Sequence, residues 1–101
     1  MKKSIVIGGV ASGMMAAIMA ARNGEAVTVL EENSRPLKKL LATGNGRCNI
    51  TNLLWEGDVL RSGEVQKAYE IVKRFDHKDA MRFFTEIGIP VKDRKGWVYP
   101  C

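Results

Sequence analysis

Apolar and polar positions change rhythm several times along the chain, and each change marks an element. Ser4-Ile5-Val6-Ile7 is a β-branched run stopped by Gly8-Gly9, which predicts a short buried strand ending in a turn. Met14 to Arg22 is rich in alanine and methionine, with Ser12 placed to cap it and Asn23-Gly24 placed to stop it, so a helix follows. Ala26-Val27-Thr28-Val29-Leu30 returns to strand character, apolar on both faces, and ends at Glu31-Glu32. Strand, glycine turn, helix and strand over residues 1–31 spell a right-handed βαβ unit with parallel strands.

Beyond it the pattern breaks at Asn33 to Pro36. Leu37 to Thr43 has the composition of a short helix stopped by Gly44, and Asn45 to Asn52 reads as a polar loop. Trp55 to Arg61 carries no readable period. A helix opening at Ser62 or Gly63 and running to about Phe75 would place Val65, Ala68, Tyr69, Val72 and Phe75 on one face. Asp76 caps the next, with Ala80, Met81, Phe84 and Ile87 as its apolar stripe and Gly88 as its stop. Ile89 to Lys92 and Trp97 to Tyr99 flank a charged turn, Asp93 to Gly96, and predict a hairpin. The organisation expected is one partial α/β domain over 1–101: a βαβ unit at 1–31, a loop region at 32–61, and helices with a hairpin at 62–101. The last strand-like run ends directly at Pro100-Cys101, which reads as the N-terminal part of a longer protein.

Composition narrows the function classes. With 46% hydrophobic and 27% charged residues among 101, the chain is an ordinary globular one. A net charge of +5 favours an anionic partner. The basic residues occur only as short pairs such as Lys2-Lys3, Lys38-Lys39 and Lys73-Arg74, not interleaved with aromatics, so no nucleic-acid platform is expected. Cys48 and Cys101 form no CxxC, and with the single His77 they supply no metal-ligand set. The same cysteine usage points to a reducing, cytoplasmic setting. The uncharged run Ser4 to Ala21 after Lys2-Lys3 resembles an export signal, and Gly9-x-x-x-Gly13 a membrane-helix motif. Its glycines and serines, and its division into a strand and a helix, argue against either.

The chemistry lies at the glycine turn. A pyrophosphate is held where a strand turns sharply into a helix, because free backbone N–H groups and the positive helix end face it together. Gly8 and Gly13 occupy the first and third positions of G-x-G-x-x-G, while Val10 stands at the second, where a β-branched side chain is expected to crowd the phosphate and restrict φ. The spacing also fits the start of a P-loop, but Met14-Met15 replaces the Lys and Ser/Thr that phosphoryl chemistry needs. Glu31, at the end of the second strand, supplies the carboxylate that accepts both ribose hydroxyls of a nucleotide. Cys48 reads as a structural cysteine, His77 as a surface residue, and the apolar stripes as packing faces.

Thr43-Gly44-Asn45-Gly46-Arg47-Cys48-Asn49-Ile50-Thr51-Asn52, preceded by Val6-Ile7-Gly8-Gly9-Val10-Ala11-Ser12-Gly13, resembles the bacterial FAD-dependent oxidoreductases of the aminoacetone oxidase and bile-acid-inducible reductase type. The resemblance implies the start of a Rossmann-like, glutathione-reductase-type FAD domain with the TGNGRCN loop against the flavin. It implies Gly8, Gly9, Val10, Ala11, Ser12 and Gly13 around the pyrophosphate and Glu31 on the adenosine ribose. Lys38, Thr43, Arg47, Cys48 and Asn49 would contact the rest of FAD. NAD(P)H is the implied electron donor and a small molecule the substrate; no catalytic residue is assigned. The sequence departs from the family pattern at Val10 and at Leu37, where glycine is usual. The readings that compete are a nucleotide-binding segment without catalysis and an exported or membrane-anchored chain.

Overall fold

The computed structural model describes residues 1–54 and 60–101. Part of the featureless stretch Trp55–Arg61 thus lies outside the described residues. The contacts divide the chain into two compact units, Met1–Gly46 and Arg47–Cys101.

In the first unit, β1 (Lys3–Ile7) and β2 (Ala26–Leu30) pair in parallel, from Lys3 opposite Ala26 to Ile7 opposite Leu30, and α1 (Ala11–Arg22) connects them. The βαβ unit is therefore present within a residue or two of its expected bounds. A parallel pair needs such a crossover, and the ladder is closed at both ends by Ala26 N–H on the Lys2 carbonyl (2.9 Å) and Gly8 N–H on the Leu30 carbonyl (2.8 Å). Near the start of β2, Glu25 accepts from the Ser4 hydroxyl and pairs with the Lys2 ammonium at 3.5 Å. The Ser4 hydrogen bond is the main reason its carboxyl is held below the usual range.

α1 covers one face of this sheet, turning its buried Ala17 toward the half-buried Val6 and Val29. The expectation of strands buried on both faces is corrected here: Ile5, Ile7 and Leu30 are 68%, 85% and 53% exposed. One helix supplies one cover, and within this unit no second helix lies on the other face. Ser12 is not the cap either. The N-cap is Val10, in extended backbone, and Ser12 sits exposed in the first turn. Asn23 closes the helix as expected, its N–H on the Met19 and Ala20 carbonyls. After β2 come α2 (Lys38–Leu41) and a single turn, α3 (Thr43–Gly46), whose central Gly44 and Asn45 are left-handed.

The second unit is a three-stranded antiparallel sheet ordered β3-β5-β4, formed by β3 (Thr51–Asn52), β4 (Val91–Arg94) and β5 (Trp97–Pro100), together with α4 (Val65–Lys73) and α5 (His77–Glu86). The hairpin was legible, but Asp93 and Arg94 belong to β4. Lys95 and Gly96 alone make the turn, both at positive φ, the mirror-image geometry that matches strand twist. β3 lies inside the stretch expected to be loop. Composition hid it because only two residues pair, Thr51 with Val98 and Asn52 with Trp97.

Asp76 caps α5 as expected, and more completely. Its carboxylate accepts from Lys78 N–H (2.9 Å) and Asp79 N–H (3.1 Å), while the Asp79 carboxylate accepts from Asp76 N–H (3.0 Å). Those amide bonds, that of Asp79 foremost, hold the Asp76 carboxyl below its ordinary range. His77 is half-buried rather than on the surface. α5 lies against β3 and β4, and its most buried residue is Phe83, which the expected stripe omitted; Phe83 and Phe84 meet edge to face at 5.2 Å. α4 is shorter than expected, and of its stripe only Ala68, Tyr69 and Val72 are half-buried, with Val65 and Phe75 exposed.

Val98 is fully buried at the centre of this sheet. Val98→Ala removes two buried carbon groups and leaves a gap, so it should lower unfolding free energy by about 2 kcal/mol in a denaturant titration.

Candidate functional site

The glycine loop is built by the way β1 runs into α1. Gly8 turns the chain at φ 98°, and a Cβ on Gly13 would overlap the carbonyl oxygen of Gly8. Only glycine at 13 lets the first turn of α1 sit directly on the end of β1. The N–H groups of that first turn have no carbonyl four residues back inside the helix. No side chain caps them, and no acidic residue lies in the turn. The positive end of α1 is thus left with donors facing outward. Val10 occupies φ −98°, ψ −168°, backbone that a β-branched residue adopts readily, so the expected φ restriction is absent; its side chain is partly exposed at the loop.

Glu31 closes the loop from the end of β2. One carboxylate oxygen accepts the Gly9 N–H at 2.8 Å and the other accepts the Asn33 N–H at 2.6 Å. These two amides, Asn33 first, hold the carboxyl below its usual range. Each oxygen keeps a lone pair for another donor, so the carboxylate can order the loop and still accept a hydroxyl. Residues 33–37 fold back over the same turn: Leu37 N–H donates to the Gly9 carbonyl at 2.6 Å, and a Cβ on Gly9 would lie 3.1 Å from Pro36 Cβ. Leu37 does this in left-handed backbone, φ 61° and ψ 15°, a conformation that a leucine adopts only under strain. This is the physical reason a glycine suits the position.

The structure therefore brings Gly8, Gly9, Val10, Ala11, Ser12, Gly13 and Glu31 together. Lys38 is exposed at the start of α2 in the same unit, and Thr43 donates its hydroxyl to the Leu40 carbonyl at 2.8 Å. Arg47, Cys48 and Asn49 belong to the other unit. There Cys48 is a half-buried free thiol at φ 63°, Asn49 is half-buried, and Arg47 lines a cavity beside the hairpin. Asn33, Pro36 and Leu37 were missed as parts of the loop; Ser34-Arg35-Pro36 signals a break in the chain but not what the break touches. Among the described residues no three His, Cys, Asp or Glu side chains gather to hold a metal ion.

The sequence matches the profile of the HI0933-like protein Rossmann domain over residues 2–101. It is 42% identical over 97 residues to a 3-dehydro-bile acid delta(4,6)-reductase of Clostridium scindens, covering 94% of this chain and 24% of that protein. It is 31% identical over 86 residues to a ribosomal RNA dihydrouridine synthase of Escherichia coli, covering 85% of this chain and 22% of that protein. The chain thus spans about a quarter of the length of these relatives.

Two outcomes follow from the loop geometry. A depressed Glu31 pKa means that its ionised form stabilises the folded loop above the unfolded-state pKa, and that this contribution is lost as pH falls through the folded value. In an NMR titration the Gly9 and Asn33 amides should move together with a midpoint below the ordinary glutamate range, and Glu31→Gln should remove the transition. Leu37→Gly relieves the left-handed strain, and after allowing for glycine's greater unfolded freedom should raise stability by about 1 kcal/mol, read by thermal unfolding.

Proposed function

From the premise that the chain belongs to the HI0933-like protein Rossmann domain family, we propose that it forms the FAD-binding opening of a flavin-dependent oxidoreductase. The observation that carries this is the junction of β1 and α1: an uncapped helix end pressed onto a strand through Gly13, with the Glu31 carboxylate on the Gly9 amide. That donor set fits a dinucleotide. The first-turn N–H groups of α1 would face the pyrophosphate, and Glu31 would accept from the adenosine ribose. Lys38, Thr43, Arg47, Cys48 and Asn49 are assigned to the remainder of FAD by the resemblance of the TGNGRCN loop.

FAD when bound would supply a two-electron carrier, with NAD(P)H as donor and a small molecule as acceptor. The protein's part is to position and to order, which the Glu31 and Leu37 ties to Gly9 do within the loop. The relatives' names specify different substrates, a 3-dehydro-bile acid and ribosomal RNA, so the likeness carries a reaction class rather than a substrate. We place the protein in the cytoplasm, on its unpaired thiols. Among the described residues no helix is long and apolar enough to cross a membrane; the uncharged run Ser4–Ala21 is β1 and most of α1. A second reading, nucleotide binding without turnover, is favoured by the β-branched Val10 at the start of α1, whose side chain stands at the loop.

Equilibrium titration of the protein with FAD, followed by flavin fluorescence, tests the proposal. One FAD per chain is expected, Val10→Gly should tighten it, and Glu31→Gln should weaken it about tenfold through the loss of a charge-assisted hydrogen bond. Absence of uptake by both the parent and the Val10→Gly protein overturns the reading. Bound FAD that NADPH does not bleach assigns the second one.

A further inference from the structure

The Arg47–Cys101 unit carries a second place where charge and shape converge, independent of the glycine loop. In the β4–β5 ladder Lys92 faces Tyr99 and Arg94 faces Trp97. Alternation along the strands puts these four side chains on one face of the sheet, with Asp93 and Val98 on the other. Basic and aromatic residues that look scattered in the sequence thus become neighbours. Beside them is a cavity of about 540 Å³ lined by Arg47, Lys92, Asp93, Arg94, Tyr99 and Pro100. That volume is in the range of small-molecule sites, roughly 300–1,000 Å³.

Among the described residues, no carboxylate neutralises the cations of this cavity. Lys2, Lys67 and Arg82 are each matched to a carboxylate, at 3.5, 3.8 and 3.4 Å. Among the described residues, Arg47, Lys92 and Arg94 form no ion pair, and Asp93 is the lone acid in their lining. Like charges gathered without partners raise the local positive potential and cost free energy that a bound anion recovers. β4 is an edge strand, and cations on an edge keep copies of a sheet from pairing. That purpose accounts for Lys92 and Arg94. It does not account for the cavity that opens beside them, nor for the Tyr99 ring in its lining.

We propose that this cavity binds a small organic anion, its phosphate or carboxylate head held by Lys92 and Arg94 and its flat body against the Tyr99 ring on the same face of the sheet. Guanidinium groups suit such heads because they donate two parallel N–H bonds, while the lysine adds a point charge. The body gains from burial against the tyrosine ring.

The test is an amide-shift NMR titration of the full chain with phenyl phosphate, benzoate and inorganic phosphate as probes. Shifts at the hairpin amides of residues 91–99 are expected with the two ring-bearing probes, and the tighter of these names the head group. Inorganic phosphate should bind about tenfold more weakly than phenyl phosphate. The K92Q/R94Q double variant should weaken the preferred probe at least about tenfold, while K92R retains it. Hairpin shifts that are absent, that are the same in the double variant, or that are equal for inorganic and phenyl phosphate overturn the proposal. So does their loss at saturating FAD, which would make the cavity part of the cofactor's own site; their persistence supports a separate one. Failure of FAD to bind leaves the probe titration intact, so the two readings fail separately.

Discussion

Nothing in the first unit can be assembled until α1 lies on the end of β1, and that contact exists because position 13 has no side chain. With a Cβ there the helix would have to lift off the Gly8 carbonyl. Lifting it would uncover Ala17, Val6 and Val29, which are buried or half-buried where the helix covers the parallel pair. It would also swing the first-turn N–H groups away from the strand ends. Core and anion site share one steric condition, so neither can be altered there without the other.

The loop's electrostatics follow from the same junction. A helix end without a capping side chain is a standing deficit of acceptors, and Glu31, which takes the amide of Gly9 just ahead of the N-cap, orders the approach to α1 while leaving its first-turn donors open. The contrast with α5 is instructive. There Asp76 and Asp79 satisfy the amides of the first turn locally, and the helix start is closed to ligands. The two helix starts thus show two uses of one physical problem: where stability is wanted the donors are consumed, and where binding is wanted they are left free.

Much of the fold could be read from the chain because its signals are local. The β-branched runs around Gly8 and Asn23-Gly24 fall on β1, α1 and β2, Asp76 is a cap, and Lys95-Gly96 lies in a hairpin. What escaped depends on contacts distant in sequence. β3 is two residues long and exists only through pairing with Val98 and Trp97; Phe83 became the buried residue of α5 because β3 and β4 lie against that side. The burial of the β1–β2 sheet was overestimated because apolar strands announce that they need two covers, not that they have them. Within the loop, the turn at Gly8, the close packing at Gly13 and the place of Glu31 at the end of β2 were legible from spacing. The ties from Asn33 and Leu37 were not, because backbone N–H groups leave no mark on side-chain identity. The basic-aromatic face was invisible for a related reason: cross-strand register, rather than adjacency, makes Lys92 a neighbour of Tyr99.

The bare face of the β1–β2 sheet bears on how the protein behaves in bulk solution. Ile5, Ile7 and Leu30 form a contiguous oily strip, and a two-stranded sheet also has two open edges, so adhesion between molecules is possible both face to face and edge to edge. The opposing influence is the excess of five positive charges, which keeps molecules apart while ionic strength is low. For residues 1–101 taken alone, colloidal behaviour is therefore set by salt: screening shortens the reach of the repulsion and leaves the adhesion untouched, so this chain should be most dispersed in dilute buffer and increasingly sticky as salt is added.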